Sequence, residues 1–238
     1  MLTEQQKEAV RKLYGTMTAK EIAQQPDVSI NSVYNFAKKE KLTKPLNPEF
    51  EITERQEQIL LGGILGDGSF KKNGTNYYYR ESHAVPEADY LKWKYKELKN
   101  MSTGKLYDIP ARRETQNPQI GMQTVNTPSL TPYAKMTRME AIDKIDELGL
   151  IVWMLDDGWC RHSCKSGCYG ISAAAFSAEE IDAILEKMKT FGLNGHVIGS
   201  KQDISLTTEN NKTIKEIAYR YFPKTMDIMK KKINPLVG

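Results

Sequence analysis

The sequence predicts an α+β chain: a small all-α unit, then two αββαββα units related by a pseudo-two-fold axis. Three observations predict it. Leu60-Leu61-Gly62-Gly63-Ile64-Leu65-Gly66-Asp67-Gly68 and Leu150-Ile151-Val152-Trp153-Met154-Leu155-Asp156-Asp157-Gly158 are apolar runs that both end in Asp-Gly, with Asp67 and Asp157 ninety positions apart. Helix and hairpin signals recur in the same order after each run. The first 42 residues instead carry only helical spacing.

In that first segment, Thr3 to Tyr14 places Gln6, Val10 and Leu13 on one helical face, and Gly15 ends the helix. Thr18 caps Ala19 to Gln24, with Ile22 and Ala23 inward. Pro26-Asp27 forces a turn. Ser29 caps Ile30 to Glu40, with Ile30, Val33, Phe36 and Ala37 inward. This order describes a helix-turn-helix, whose last helix enters a DNA major groove by its N-terminal end. Asn31, Ser32, Tyr34, Asn35 and Lys38 then face outward, and asparagine can read adenine through two hydrogen bonds. Residues 43–52, with Pro45 and Pro48, read as a linker between this unit (1–42) and two halves, 53–138 and 139–238.

Each half repeats one order. After the first apolar helix come a strand at Ser69 to Lys71, an Asn73-Gly74 turn and a strand at Thr75 to Ala84. Pro86 opens a helix to about Asn100. Strands near Ala111 to Glu114 and Gln119 to Thr124 and a helix at Thr127 to Met136 complete the half. The second half runs through strands at 159–165 and 168–175 and a helix from the Ser177 cap to Phe191. Strands at His196 to Gly199 and Asp203 to Leu206 and a helix at Thr208 to Tyr221 follow.

The chain of 238 residues carries a net charge of +4 and 39% hydrophobic residues. No apolar run approaches the roughly 20 residues that a membrane span needs. The start, Met1 to Gln6, lacks an apolar signal core. A cytoplasmic protein is expected, or an organellar one if its gene is organelle-encoded. Basic clusters at Lys38-Lys39, Lys71-Lys72, Lys92/Lys94/Lys96/Lys99, Arg112-Arg113 and Lys230-Lys231-Lys232 suit a phosphate-backbone partner. Cys160, His162, Cys164 and Cys168 match no standard zinc spacing, and the odd count reads as free thiols.

The Asp-Gly endings carry the chemistry. A helix C-terminus favours cations, so an acid there needs positive compensation. Gly68 and Gly158 suit a left-handed cap after each helix. Gly62 and Gly66 lie on one face and admit a second helix at backbone distance. Val152 and Asp156 hold the matching places in the other run, with Trp153 and Leu155 as packing bulk. Two such helices packed in parallel bring Asp67 and Asp157 together. Carboxylates that close repel unless a cation bridges them. The hard, oxygen-ligated ion that fits is Mg²⁺, with Mn²⁺ or Ca²⁺ as substitutes. Carboxylates, metal and a phosphate partner imply phosphodiester hydrolysis.

At these residues the chain resembles the LAGLIDADG homing endonucleases, in the single-chain branch with two motif copies. Leu60 to Gly68 matches the nine-residue signature at its first, third and last two positions, and Trp153 to Gly158 is similar to the W-[FY]-M-D-D-G second copy. The resemblance covers about Thr53 to the C-terminus. It implies a monomeric, site-specific endonuclease acting on double-stranded DNA. Two four-stranded sheets would lie as a saddle in the major groove, and cleavage across the minor groove would leave short 3′ overhangs. It implies Asp67 and Asp157 as metal-binding acids, with their chain neighbours Gly66 and Asp156 completing the candidate metal set. It also implies a lysine near each metal: Lys135, or Arg138 in its stead, in the first half, and Lys230, then Lys232, in the second. Gln123 is a candidate for positioning water. The sheet faces would read DNA through Lys71, Lys72, Tyr77, Tyr79, Arg80, Arg112, Arg113, Arg161, Lys165 and Lys201. Strand alternation groups Tyr77, Tyr79 and Glu81 on one face and Tyr78, Arg80 and Ser82 on the other. An RNA maturase and a non-catalytic DNA-binding regulator are the rival readings on the same fold.

Overall fold

The computed structural model describes residues 2–14, 19–25, 27–42, 49–111, 117–161, 168–200 and 202–233, with Lys20 and Arg161 described by backbone alone. The chain divides into two compact units, Met1–Glu49 and Phe50–Gly238.

The smaller unit holds helices α1 (Glu4–Leu13), α2 (Ala19–Gln24) and α3 (Ile30–Lys39). Thr3 and Gln6 form a capping box on α1, and the Ser29 hydroxyl accepts from the Ser32 N–H to cap α3. Each cap stabilises its helix by about 1 kcal/mol. Val10, Ile22, Val33 and Ala37 are buried together with Phe36. Ile30, expected inward, is 41% exposed, because it occupies the open first turn of α3.

The larger unit is built on α4 (Glu54–Leu65) and, later in the chain, a second apolar helix. After α4 come β1 (Ser69–Asn73), β2 (Asn76–Ala84), α5 (Ala88–Glu97), β3 (Tyr107–Ile109), β4 (Gln119–Gln123), α6 (Thr131–Lys135) and α7 (Arg138–Lys144). The second helix, α8 (Glu147–Asp157), leads to β5 (Gly158–Arg161), β6 (Cys168–Ile171), α9 (Ala178–Thr190), β7 (Gly195–Ile198), β8 (Asp203–Leu206), α10 (Asn211–Tyr221) and α11 (Asp227–Lys232). Two antiparallel four-stranded sheets result, ordered β1-β2-β4-β3 and β5-β6-β8-β7. Both place the two hairpin strands first and the later pair in reversed order, so the halves share one topology.

The strand expected near 111–114 is instead β3, at Tyr107–Ile109, before Pro110; residues 112–116 lie outside the described residues. The hairpin loop is Gly74-Thr75, since Asn73 pairs with Asn76. Gly74 takes φ +64° while Thr75 keeps negative φ, the pattern of a type II′ turn. Helix α7, with its Thr137/Glu140 capping box, and α11 were not expected from periodicity, because each is too short to show it.

Almost every residue of α4 after its first turn and nearly all of α8 are buried, as befits helices apolar all round. They run parallel. At their N-terminal ends the Asp146 N–H donates to Gln58 Oε1 at 2.7 Å. At their C-terminal ends the Asp67 N–H faces Asp156 Oδ2 at 3.4 Å. A Cβ at Gly62 would overlap the Gly149 carbonyl and Val152, and one at Gly66 would overlap Asp156. The two glycines therefore set the backbone-to-backbone approach. Neither Gly68 nor Gly158 takes the expected left-handed cap; Gly158 is extended, at φ −75° and ψ 160°. Their lack of a side chain serves packing instead: a Cβ at Gly68 would overlap the Tyr79 ring, and one at Gly158 the Met154 carbonyl.

Candidate active site

Tyr79, Glu81 and His83 point into the core from β2, while Arg80 and Ser82 point to the open face. Residues paired across β1 and β2 share a face, so Lys71, opposite Tyr78, joins Arg80 on the open side. Gln123, opposite Arg80 on β4, lies there too. This open face of the first sheet lines a groove of about 600 Å³ that includes Arg80, Ser82, Tyr107 and Gln119 and reaches Asp67 at one end.

Asp67 and Asp157 stand at the C-terminal ends of α4 and α8. The Asp67 side chain is 42% exposed. Burial raises the Asp157 carboxyl pKa, and the Asp67 charge raises it further. Asp157 therefore feels the charge of Asp67, a repulsion that a bound cation relieves. The compensating charge at the end of α8 is Lys232, whose Nζ donates to the Leu155 carbonyl at 2.6 Å and to the Asp156 carbonyl. Burial lowers the Lys232 pKa.

Beneath Asp67 lies a buried charge cluster. Lys94, fully buried, donates to Asp156 Oδ1 at 2.8 Å, Asp156 Oδ2 at 2.9 Å and Glu81 Oε1 at 2.5 Å. Tyr90 donates to Asp156 Oδ1 at 2.8 Å, and Tyr79 donates to Glu81 Oε2. His83 Nε2 lies 2.5 Å from Glu81 Oε1, while its Nδ1 faces Asp67 Oδ2 at 3.7 Å and Glu87 Oε2 at 3.5 Å. Burial alone would lower the His83 pKa, but hydrogen bonds to Glu81 and Glu87 carry it up to about 9. Burial raises Asp156, with Lys94 opposing it. Burial would also raise Glu81, but Lys94 and His83 more than reverse that.

Several sequence expectations change against this geometry. Tyr79 is no DNA contact: it is fully buried, because its strand parity matches the core face. Lys94, counted in a surface basic cluster, is internal. Lys230 is exposed and bonds Asp227 at 2.8 Å, so Lys232 and not Lys230 reaches the end of α8. Asp156 is taken up by Lys94 and Tyr90. Lys135 ends α6 exposed and takes part in none of the contacts above. Arg138 bonds the Ala175 carbonyl and lies over the Phe176 ring, away from a role as its substitute. Tyr77 is half-buried, with its carbonyl accepting from the Thr127 N–H. Lys72 is exposed near the hairpin tip. On α3, Asn31, Tyr34, Asn35 and Lys38 are exposed, whereas the Ser32 hydroxyl bonds Ser29 at 2.8 Å. Arg112, Arg113, Lys165 and Lys201 lie outside the described residues, as does the side chain of Arg161. So do His162 and Cys164. Cys160 is a free thiol, but Cys168 is disulfide-bonded, against the expectation of free thiols throughout. No helix among the described residues is long and apolar enough to cross a membrane.

His83, Glu81 and Lys94 were missed as site residues. A signal existed for Lys94, which falls on the inward stripe of Tyr90, Leu91 and Leu98 at helical spacing.

The solved structure of the homing endonuclease I-WcaI bound to its DNA recognition sequence superposes with a TM-score of 0.64 at 18% identity, over 94% of this chain and 97% of that one. I-DmoI, solved with its target DNA nicked in the coding strand and in the presence of Mn, has a TM-score of 0.46 at 13% identity, over 73% of this chain and 100% of that one. Among curated proteins, Protein RecA of Mycolicibacterium chitae is 24% identical over 196 residues, covering 74% of this chain and 46% of that protein. Protein RecA of Mycolicibacterium flavescens is 25% identical over 122 residues, covering 45% of this chain and 26% of that one. The chain thus spans less than half the length of these relatives. A model of the LAGLIDADG DNA endonuclease family matches residues 57–214, most of the chain, with both Asp-Gly motifs inside the match. The chain belongs to the LAGLIDADG DNA endonuclease family.

Proposed function

We propose that the chain is a monomeric, Mg²⁺-dependent, site-specific endonuclease that cuts both strands of a long DNA duplex and leaves short 3′ overhangs. The observation that carries this reading is the placement of Asp67 and Asp157 at the adjoining ends of a parallel helix pair, one of them opening onto the groove of a sheet face. Family membership supports the same reading.

The donor set fits hard divalent cations: two neighbouring carboxylates, Asp157 raised by burial and by the charge of Asp67, and Asp67 half exposed. Asp67 and Asp157 would jointly hold such cations, with one centre nearer each acid, and Gly66 has only its carbonyl to offer. A cation held there would supply charge neutralisation at a scissile phosphate and an activated water. Lys232, within reach of the α8 terminus, orients water and balances charge there. Lys71 and Arg80 hold the duplex backbone along the open sheet face, and Gln123 lies beside them. The exposed face of α3, with Asn31, Tyr34, Asn35 and Lys38, extends the footprint to flanking DNA.

The test starts with selection of cleaved molecules from a library of randomised duplexes. The purified chain is expected to release one family of sites in Mg²⁺ and none in EDTA. On the selected site, Lys232→Met is expected to slow cleavage by roughly a hundredfold, in the range of lost proton-transfer assistance, while Lys230→Met cuts like the parent. Recovery of no cleaved site, or cleavage that survives EDTA, overturns the nuclease reading.

A further inference from the structure

The two halves keep one numbering offset through the site. Ser69 pairs with Arg80 and Trp159 with Gly170, so both hairpins hold their partners at equal separation. The caps of α5 and α9 are Glu87 and Ser177, again ninety residues apart. With that offset, each member of the charge cluster has a counterpart in the other half. Glu81 corresponds to Ile171, His83 to Ala173, Lys94 to Ile184 and Asp156 to Gly66. Ile171, Ala173 and Ile184 are all buried. The Asp67 end is therefore backed by four buried polar groups, three from its own half and Asp156 from the other, whereas the matching places around Asp157 hold hydrocarbon and a glycine.

Among the described residues the direct contacts of the cluster fall on Asp67, while Asp157 feels the charges of Lys94 and His83. The Asp67 N–H faces Asp156 Oδ2 at 3.4 Å, and its Oδ2 faces His83 Nδ1 at 3.7 Å. Both neighbours are themselves held. Lys94 and Tyr90 fix Asp156. Glu81 fixes His83 from the far side of the ring, and is in turn fixed by Tyr79 and Lys94. Asp157 has Ala173 and Gly66 at the corresponding places, which offer no side-chain donor or acceptor. Preorganisation by a supporting shell decides whether a functional group sits in its productive geometry, and a small misplacement costs much rate.

We propose that His83 and Asp156 are positioning residues for Asp67, held by Glu81 and Lys94, and that they make the two cation centres of the chain unequal. The Asp67 centre is preorganised, whereas the Asp157 centre takes its geometry from the bound duplex. Loss of the cluster therefore slows one strand of the target and spares the other. This inference rests on the nuclease reading for its strand assay, but not for its cation assay.

The experiment symmetrises the chain. Glu81→Ile, His83→Ala, Lys94→Ile and Asp156→Gly together give the surroundings of Asp67 the residues that already surround Asp157. All four charges leave at once, so no buried charge is orphaned. His83→Ala and His83→Asn are made singly; Asn can keep an N–H near the place of Nδ1. Each protein is assayed on a duplex with the strands labelled separately, and Mn²⁺ binding to the DNA-free chain is followed by electron paramagnetic resonance. The symmetrised and His83→Ala chains are expected to cut one strand about tenfold slower or more, with the other unchanged and His83→Asn recovering most of the loss. Two classes of Mn²⁺ site in the parent should merge into one in the symmetrised chain. Equal slowing of both strands, or no change in either, overturns the proposal. If the symmetrised chain does not fold, the two single variants distinguish the same outcomes. If the parent cuts no duplex, the nuclease reading falls, and the Mn²⁺ classes alone decide: two classes unaltered by His83→Ala overturn the proposal.

Discussion

Asp67→Asn and Asp157→Asn are each expected to abolish double-strand cleavage, by slowing the strand that the lost acid serves roughly 10³-fold, or about 4 kcal/mol of barrier. The two carboxylates are electrostatic neighbours, since the charge of Asp67 raises the Asp157 carboxyl. An amide keeps the shape but removes the anionic oxygen that a hard cation requires. With one acid neutral, the centre that it anchors no longer concentrates enough negative charge to hold its cation. Duplex binding should persist, since Lys71 and Arg80 lie on the sheet face and not at the helix ends. Gel-shift affinity and labelled-strand cleavage, measured side by side, check both halves of this statement. A variant that still cuts both strands at the parental rate would remove that acid from the chemistry.

Lys94→Met is expected to have the largest effect on stability, about 3–5 kcal/mol, because it leaves Asp156 and Glu81 buried without their common cation. For a chain of this size that lowers the melting midpoint by roughly 10 °C. A proton can replace the missing ammonium on Asp156, so the deficit should shrink as the pH falls. His83 adds a separate dependence in the parent. Its folded pKa of about 9 lies above the unfolded value of 6.5. The stability it contributes is therefore complete below pH 6.5 and is lost as the pH rises through 9, up to ~3 kcal/mol. Melting curves of the parent, His83→Ala and Lys94→Met from acid to alkaline pH separate the two contributions. A Lys94→Met chain as stable as the parent would show that the ammonium does not balance the cluster.

The helix pair was legible because its signals are local and doubled. Gly62 and Gly66 share a helical face, and two apolar runs end alike. The double topology followed from the same repetition of hairpin and cap signals. What was not legible depended on tertiary placement. Strand parity grouped Tyr77, Tyr79 and Glu81 correctly on one face, but nothing in the strand itself says which face meets helices. Lys94 reads as one more lysine in a basic run; its place on the stripe of Tyr90, Leu91 and Leu98 is the local sign of burial, while the partners that balance its charge, Glu81 and Asp156, are distant in sequence. Lys232 and Lys230 differ by half a turn of a six-residue helix, too short for periodicity to fix its facing. The misplaced third strand shows the same limit: Tyr107–Ile109 spans three residues and takes its identity from pairing with β4.

Asp67 and Asp157 are assigned one joint task, to hold divalent cation at a scissile phosphate. Crystals of the chain with its selected duplex, grown in Mn²⁺, test this through anomalous scattering. Mn²⁺ peaks are expected at about 2.2 Å from a carboxylate oxygen of each acid and from a phosphate oxygen. Mn²⁺ bound elsewhere, with both carboxylates free of it, would take the two acids out of the reaction.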